Sequence, residues 1–380
     1  MITPLLFCLL VLLALGGFER LARDRAWRDV PIRIHVNGTR GKSTVTRLVW
    51  SALREAGVPT LGKTTGTAAR LLLPDGAERD VVRRGPASIR EQLALLRLAR
   101  HHGARAVVVE CMALDPTLQY VSERAIVRAT IGVITNVRLD HTELMGHDLQ
   151  TIASTLANTI PVHAVLVHGE PLFDPLFRAR AAAVGTRVTA AGLAGGKGWF
   201  EEDVATALAV TRELGIADDV ARTGFQRAPL DPGTARDGVL SLRNGESHWL
   251  NATAANDPTS LAVLVDGVSA TDQPRGSAPR PPLVLIYNHR ADRAPRLDCF
   301  ARESRDFRDA DLLIITGSRP PRTVWRRLSA ARGGRAPDFV PPRQLAHWLH
   351  ARASGCSLVF CGNTRGLDVP RVLEEASSRG

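Results

Sequence analysis

The sequence predicts an α/β protein built on mainly parallel sheets, and three observations support this class. A short β-branched run at residues 34–36 leads into a glycine-bearing loop and then into an amphipathic helix that Gly57 ends. Apolar runs typical of strands buried on both faces follow, with helical or loop stretches between them, at 106–110, 129–137, 164–167, 283–287, 311–317 and 357–362. The chain has 380 residues, of which 44% are hydrophobic, so it can build a large core and about two soluble domains.

Residues 38–44, Gly-Thr-Arg-Gly-Lys-Ser-Thr, have the composition of a phosphate-binding loop. Glycines allow backbone N–H groups to face an anion, and the following helix adds its positive N-terminus. We expect Lys42 to reach the terminal phosphates of a nucleotide and the Ser43 hydroxyl to ligate Mg²⁺. The usual spacing G-x-x-x-x-G-K-[ST] would place glycine at position 36, where this chain has Val36, so the loop is a shorter variant.

Two further candidate residues follow predicted strands. Glu110 ends the apolar run 106–110, and Asp140-His141 come just after the run 129–137. Because the carboxyl ends of parallel strands meet at the ligand-binding edge of a sheet, Glu110 and His141 should lie near the phosphate-binding loop, where both suit a divalent metal. A solvent-exposed strand end or a structural Asp–His pair would have the same residues, and the upstream loop favours the metal site.

Four segments of this sequence resemble the Mur ligase superfamily of ATP-dependent amide ligases. They are RIHVNGTRGKSTVTRL at 33–48, ITNVRLDHTELMG at 134–146, ANDPTSLAVLV at 255–265 and NHRADR at 288–293. Within the superfamily they look most like the catalytic subunit of poly-γ-glutamate synthase, the CapB/PgsB type. That branch has the Asn-Asp-Pro form found at 256–258, where the cell-wall and folate branches have His-Asn-Pro.

The resemblance implies a Mur-ligase-like P-loop ATPase domain with a mainly parallel sheet, plus a smaller Rossmann-like C-terminal α/β domain. It implies an ADP-forming ligase that joins glutamates through their γ-carboxyl groups by way of an acyl phosphate, with ATP and one or two Mg²⁺ ions as cofactors. The implied catalytic residues are Lys42, Glu110 and His141, and the implied metal ligands are Ser43, Glu110 and His141. The implied nucleotide-binding residues are Gly38, Thr39, Arg40, Gly41, Lys42, Ser43, Thr44, Asn136 and Arg290.

The sequence departs from the superfamily pattern at two places. Many Mur-type ligases hold a second metal with a carbamylated lysine after the histidine, but this chain has no lysine between Lys63 and Lys197. Apart from His141, the ligands of a second metal are therefore not assigned from sequence. Thr253 stands where the cell-wall and folate branches have an aspartate for the nucleotide, so no ribose contact is assigned.

The N-terminal segment predicts a membrane anchor. Residues 2–18 carry no charge and are rich in Leu, Val and Phe, whereas four arginines lie within 20–28. Positive charge after the apolar run favours an uncleaved single anchor in the cell membrane with the catalytic body in the cytoplasm, and the alternative is a buried or interfacial helix. The predicted domains are the anchor at 1–18, a basic juxtamembrane linker at 19–30, the ATP-binding domain at 31–245 and the C-terminal ligase domain at 246–380.

Composition limits the partners. The formal charge is +11, and only three of the 49 basic residues are lysines. An arginine-rich composition can simply reflect the nucleotide composition of the genome, or it can attract anionic lipid or a polyanionic product. No basic stripe interleaved with aromatic residues is found, so we expect no nucleic acid. The five cysteines form no C-x-x-C pair, which suits a reducing compartment.

The expected partners are glutamate, growing poly-γ-glutamate, the membrane and small membrane subunits of a polymer synthase and export complex. Two other functions remain open from sequence. One is another Mur-type or folylpolyglutamate-type amino-acid ligase, and the other is a membrane-tethered nucleotide-binding regulator that hydrolyses ATP slowly. Release of ADP that depends on the acceptor separates a ligase from a regulator.

Overall fold

The computed structural model describes residues 2–66, 69–83, 85–192, 199–229, 235–255, 257–271 and 281–378. They belong to two compact units, Met1–Leu230 and Asp231–Gly380. The predicted boundary at 245/246 is therefore wrong, because the segment Arg236–Leu242 forms a strand antiparallel to Gly245–Asn251 in the second unit. The strand Arg236–Leu242 lies at the edge of its sheet and has few buried side chains. Its sequence is therefore polar enough to resemble a linker.

The first unit is an eight-stranded sheet with helices on both faces. The strand order is β4-β3-β2-β5-β1-β6-β7-β8, in which β3 and β4 are antiparallel additions to an otherwise parallel sheet. The strands are β1 (Ile32–Asn37), β2 (Thr60–Thr64), β3 (Arg70–Leu72), β4 (Glu78–Asp80), β5 (Ala106–Glu110), β6 (Ile131–Ile134), β7 (Val165–His168) and β8 (Arg187–Ala190). The helices are α1 (Ile2–Asp29), α2 (Lys42–Glu55), α3 (Glu91–His101), α4 (Pro116–Val121), α5 (Thr142–Met145), α6 (Leu149–Leu156), α7 (Asp174–Ala182), α8 (Trp199–Glu213) and α9 (Asp218–Gln226).

Strand β1 lies at the centre of the sheet and positions the phosphate-binding loop. Its alternate residues Ile34 and Val36 are fully buried in the same core cluster as Val45 and Val49 of α2. Burial of one such side chain stabilises the fold by about 1.5–3 kcal/mol. The packing of α2 on β1 therefore fixes both ends of the short loop that joins them.

Helix α1 is continuous over 28 residues and includes residues 19–29 of the segment predicted as a separate linker at 19–30. The Leu, Ala and Arg residues of that segment favour a helix, and the helix ends just before Pro31, which restricts the residue that precedes it. Large apolar side chains between Leu6 and Phe18 are exposed. No helix in the described ranges is both long enough and apolar enough to cross a membrane.

The second unit is an α/β domain built on a six-stranded sheet. Its strand order is β13-β12-β11-β14-β10-β9, and all neighbouring pairs are parallel except β9 with β10. The strands are β9 (Arg236–Leu242), β10 (Gly245–Asn251), β11 (Leu283–His289), β12 (Leu312–Gly317), β13 (Asp338–Phe339) and β14 (Ser357–Cys361). The helices are α10 (Pro258–Thr271), α11 (Ala294–Glu303), α12 (Arg305–Asp309), α13 (Arg322–Ala331), α14 (Pro342–Arg352) and α15 (Val369–Ser377).

Candidate nucleotide and metal site

The phosphate-binding loop, residues 38–44, joins β1 to α2 at the edge where the parallel strands end. Gly38 has φ +132° and Gly41 has φ +76°, a region that disfavours residues with a side chain. A Cβ on Gly38 would lie 2.0 Å from Thr135 Oγ1, and one on Gly41 would lie 1.9 Å from Asp203 Oδ1. Both glycines are therefore required by backbone conformation and by close contact.

Lys42 is the first residue of α2 and folds back over the loop. Its Nζ donates to the carbonyl oxygens of Gly38 at 2.7 Å and of Thr39 at 3.1 Å. The ammonium group thus lies directly against the backbone of the loop. This places its positive charge where the phosphates of a bound nucleotide would be held.

Ser43 and Glu110 meet beside the loop, as the sequence predicts. Glu110 Oε2 accepts a hydrogen bond from the Ser43 hydroxyl at 2.8 Å and another from the Thr65 backbone N–H at 2.6 Å. Strand β2 pairs with β5 and brings the turn after it, which contains Thr65, next to the end of β5. The result is a cluster of a hydroxyl and a buried carboxylate at the N-terminus of α2.

These oxygen donors fit Mg²⁺. The described residues contain no group of three or more His, Cys, Asp or Glu side chains that could hold a metal. Mg²⁺ does not require such a cage, because it is commonly held by one or two carboxylates, substrate phosphates and water. Ser43 and Glu110 therefore suit a magnesium ion that arrives with a nucleotide.

Asn136 supports the loop from the end of β6. Its Oδ1 accepts from the Thr39 hydroxyl at 2.8 Å and from the Arg40 N–H at 3.0 Å, and its Nδ2 donates to the Arg40 carbonyl at 3.2 Å. The Arg138 N–H also donates to Thr39 Oγ1 at 2.8 Å. The amide of Asn136 is buried in these contacts, so its contribution to nucleotide binding acts through the shape of the loop.

His141 lies on the same segment, one residue before α5. It has the left-handed conformation, with φ +46°. Its Nδ1 lies 3.4 Å from Glu143 Oε1, and its Nε2 lies 3.9 Å from Asp140 Oδ1. Asp140 Oδ2 in turn lies 3.6 Å from Arg40 Nη2, so this segment is tied to the phosphate-binding loop. Joint metal binding by His141 and Glu110 stays a prediction.

The remaining predicted residues are distributed as follows. Thr44 is in the first turn of α2 and hydrogen-bonds Asp203. Arg290 belongs to the second unit, where its Nη2 lies 2.6 Å from Asp292 Oδ2, and its nucleotide-binding role stays a prediction. Asn256 of the Asn-Asp-Pro segment and Lys197 lie outside the described residues.

Asp203 is not predictable from the sequence pattern. It lies in α8 and is only 3% exposed. Burial, with a smaller effect from Glu202, raises the pKa of the Asp203 carboxyl to about 8, although the hydrogen bond with Thr44 opposes this shift. Its carboxylate packs against Gly41 at the start of α2. No motif marks this residue, because its burial results from the packing of α8 on α2.

Comparison with known proteins decides the family. The Mur ligase middle domain matches residues 36–208, and the C-terminal domain of poly-γ-glutamate synthase CapB matches residues 239–370. The curated protein PGA synthase CapB of Bacillus subtilis (strain 168) is 34% identical over 380 residues, which covers 95% of this chain and 94% of the relative. The chain belongs to the poly-γ-glutamate synthase CapB family. The capsule biosynthesis protein CapB of Bacillus anthracis is 33% identical, over 82% of this chain and 68% of the relative.

Solved structures agree with the fold of a CapB-family chain. A bifunctional folylpolyglutamate synthase/dihydrofolate synthase with Mn, AMPPNP and L-glutamate bound has a TM-score of 0.66 and 20% identity, covering 91% of this chain and 90% of its own. FolC of E. coli in complex with ADP has a TM-score of 0.63 and 21% identity, covering 94% and 92%. MurF of Acinetobacter baumannii has a TM-score of 0.61 and 14% identity, covering 93% and 78%. These similarities show a Mur ligase-like and FolC-like α/β fold.

Membership of the CapB family confirms the resemblance drawn from the four sequence segments. The chain is an ATP-dependent amide ligase of the poly-γ-glutamate synthase type. The phosphate-binding loop and Glu110 lie within the part that matches the Mur ligase middle domain.

Proposed function

We propose that this CapB-family ligase binds ATP at loop 38–44 and uses it to activate the side-chain carboxylate of a glutamate. The observation that supports this most strongly is the cluster of Lys42, Ser43 and Glu110 at one end of the loop. It combines a cation, a hydroxyl and a carboxylate at a helix N-terminus. Such an arrangement suits phosphoryl transfer, which needs positioning and neutralisation of charge more than covalent participation by the protein.

In the proposed reaction a γ-carboxylate oxygen attacks the γ-phosphorus of ATP, and the bond to the bridging oxygen breaks to give an acyl phosphate and ADP. The amino group of a second glutamate then attacks the acyl carbon, phosphate leaves, and the amine loses a proton. Lys42 would bind the terminal phosphates, and Asn136 would keep the loop in shape through its bonds to Thr39 and Arg40. The α-carboxylate of each unit stays free, so the product is a polyanion.

A divalent cation bound with ATP would neutralise charge on the phosphates, and Ser43 and Glu110 would hold it. A folylpolyglutamate synthase of similar fold was solved with Mn, AMPPNP and L-glutamate, which supports ATP, a divalent cation and glutamate as ligands here. His141 is the proposed additional ligand, because its segment is tied to the loop by the Arg40–Asp140 ion pair.

When the purified protein is combined with membranes that carry its partner subunits, release of ADP should depend on added glutamate. We expect one ADP and one phosphate for each glutamate incorporated, and high-mass labelled material that resists peptidases specific for α-linked peptides. The measurement combines a coupled ADP assay with gel filtration of labelled product, using D- and L-glutamate separately.

Three outcomes would contradict this proposal in different ways. ADP release that is independent of any acceptor indicates a nucleotide-binding regulator. Release that depends on a folate or a cell-wall precursor instead of glutamate indicates another Mur-type ligase. Formation of AMP and pyrophosphate would exclude the acyl-phosphate route.

We also propose that α1 holds the protein at the cytoplasmic face of the cell membrane, together with small membrane subunits that handle the product. The support is the row of exposed apolar side chains on α1, among them Leu6, Leu10, Leu13 and Phe18, followed by arginines toward the C-terminal end of the helix. A helical segment that is apolar on all sides is stable in lipid or buried inside a protein.

Deletion of residues 1–18 should abolish flotation of the protein with lipid vesicles and leave ATP binding unchanged, because the loop lies in the packed part of the unit. Vesicles of zwitterionic lipid and vesicles containing anionic lipid separate apolar insertion from attraction of the arginines. Flotation of the shortened protein with both vesicle types would show that another part of the chain binds the membrane.

A further inference from the structure

A cavity lies at the end of the first unit's sheet opposite to the phosphate-binding loop. Its volume is about 490 Å³, within the range of small-ligand sites. It is lined by Arg33 in β1, by Thr130 just before β6 and by His163 shortly before β7. The parallel strands begin here and end at the phosphate-binding loop. The six residues of β1 separate the two places by about 20 Å.

The lining of this cavity is strongly positive. It contains the three arginines Arg33, Arg124 and Arg128, and Glu123 is its one carboxylate. The Glu123 carboxylate lies 2.8 Å from His35 Nδ1 and accepts the Ala129 N–H at 2.8 Å.

His35 contacts that one carboxylate from inside the sheet. Burial alone would favour the uncharged imidazole, but Cys111 and Glu123 outweigh burial and raise the pKa of His35 to about 10. His35 is therefore the direct partner of the Glu123 carboxylate, and the cavity lining sets three cationic arginines against one carboxylate.

The arginines are held in place by the protein around them. Arg33 donates to the Trp27 and Val30 carbonyl oxygens at 3.0 and 2.8 Å. The Arg128 guanidinium lies 3.8 Å from the centre of the Trp27 ring. Arg124 lies over Tyr120, and its buried Nε has no hydrogen-bond partner among the described residues. An unsatisfied buried donor of this kind is costly unless it gains a hydrogen-bond acceptor.

Two residues that line the cavity have a left-handed backbone conformation. Three non-glycine residues in the described ranges have positive φ, namely Arg128, His141 and His163. His141 lies beside the phosphate-binding loop, and the other two line this cavity, with φ values of +47° and +49°. Arg128 caps the helical turn Ser122–Val127, a position where the left-handed conformation is common, and it thereby fixes the direction in which its side chain leaves the backbone.

We propose that this cavity binds the α-carboxylates of the growing γ-linked glutamate chain, at a place separate from the loop that binds ATP. The proposal rests on the poly-γ-glutamate product described above. Arg124 and Arg128 can donate hydrogen bonds to carboxylates, whereas Arg33, whose Nε and Nη1 donate to backbone carbonyl oxygens, contributes positive charge. A polymer that repeats a carboxylate on every unit can engage several such groups at once. A cavity about 20 Å from the loop would hold a segment several units away from the reacting end.

Binding of a fluorescein-labelled γ-linked glutamate oligomer tests this site without relying on activity. The double variant Arg124→Gln/Arg128→Asn removes two charges, and asparagine tolerates the left-handed conformation at position 128. We expect its affinity for the oligomer to fall by about tenfold or more, equivalent to ~1.4 kcal/mol. The double variant Arg212→Gln/Arg222→Gln removes the same charge elsewhere in the first unit and should bind like the wild type. Thermal melting of each variant confirms that it is folded.

ATP binding and glutamate-dependent ADP release with short acceptors should be unchanged in the cavity variant, whereas the mean length of the product should fall. Equal affinity of the cavity and control variants for the oligomer would overturn the proposal. So would a cavity variant that keeps oligomer binding but loses binding to phosphatidylglycerol vesicles, because the site would then hold a lipid headgroup. If the wild type releases no ADP with glutamate, the proposed reaction fails, and oligomer binding still reports on the cavity.

Discussion

Replacement of Lys42 by alanine is expected to lower ATP turnover by at least about 100-fold while the protein stays folded. Among the described residues, the Nζ of Lys42 donates to two carbonyl oxygens of its own loop, so its removal leaves the core packing of α2 on β1 intact. The free energy of unfolding should change by less than about 1 kcal/mol, because this side chain carries little packing. The rate is measured as ADP release at saturating Mg²⁺ and glutamate.

Arg222→Ala provides the matched control for this variant, since it removes one positive charge from the exposed surface of α9. It should keep wild-type turnover and melting temperature. A large fall in the melting temperature of Lys42→Ala, with activity lost in proportion, would show that Lys42 is needed for the fold of the loop and not for transfer of phosphate.

Glu110→Gln should have the next largest effect, a loss of turnover of about 100-fold with a higher requirement for Mg²⁺. Glutamine has nearly the same shape and can still accept hydrogen bonds from Ser43 and the Thr65 N–H, so the local structure should be preserved. What it lacks is the negative charge that would hold a cation. Calorimetric titration of ATP, with and without Mg²⁺, should show that the benefit of Mg²⁺ for binding is lost.

The control for Glu110→Gln is Glu55→Gln, at the opposite end of α2, where the carboxylate pairs with Arg227. It makes the same chemical change away from the loop and should leave the Mg²⁺ dependence unaltered. If Glu110→Gln slows turnover equally at all Mg²⁺ concentrations and leaves Mg²⁺-assisted ATP binding unchanged, Glu110 does not bind the metal and acts in proton transfer or in positioning.

The parts of the site that depend on local patterns were predictable from sequence. The loop at 38–44 and Glu110 were identified because a strand, a glycine-containing turn and a helix are encoded in consecutive residues, and because parallel strands end at one edge. The structure indeed brings Ser43 and Glu110 within 2.8 Å. The parallel α/β fold followed from the apolar runs for the same reason.

What the sequence did not predict depends on contacts between distant segments. Asp203 and Thr135 limit the loop glycines through tertiary packing that no local pattern records. The domain boundary was misplaced because β9 is a polar edge strand that is identified only by its pairing with β10. The charge of segment 19–30 predicts a linker, but its residues favour a helix and α1 continues through it to Asp29.

The continuity of α1 has a mechanical consequence. A helix of 28 residues is a rod about 42 Å long, and its last turns are clamped to the first unit. The clamp consists of the Arg33 bonds to Trp27 and Val30, the Trp27 Nε1 bond to the Ile126 carbonyl oxygen at 2.9 Å, and the stacking of Arg128 on Trp27. A rod fixed in this way transmits tilt and torque, whereas a flexible tether would not. The orientation of the rod at its far end therefore sets the direction in which the phosphate-binding loop faces.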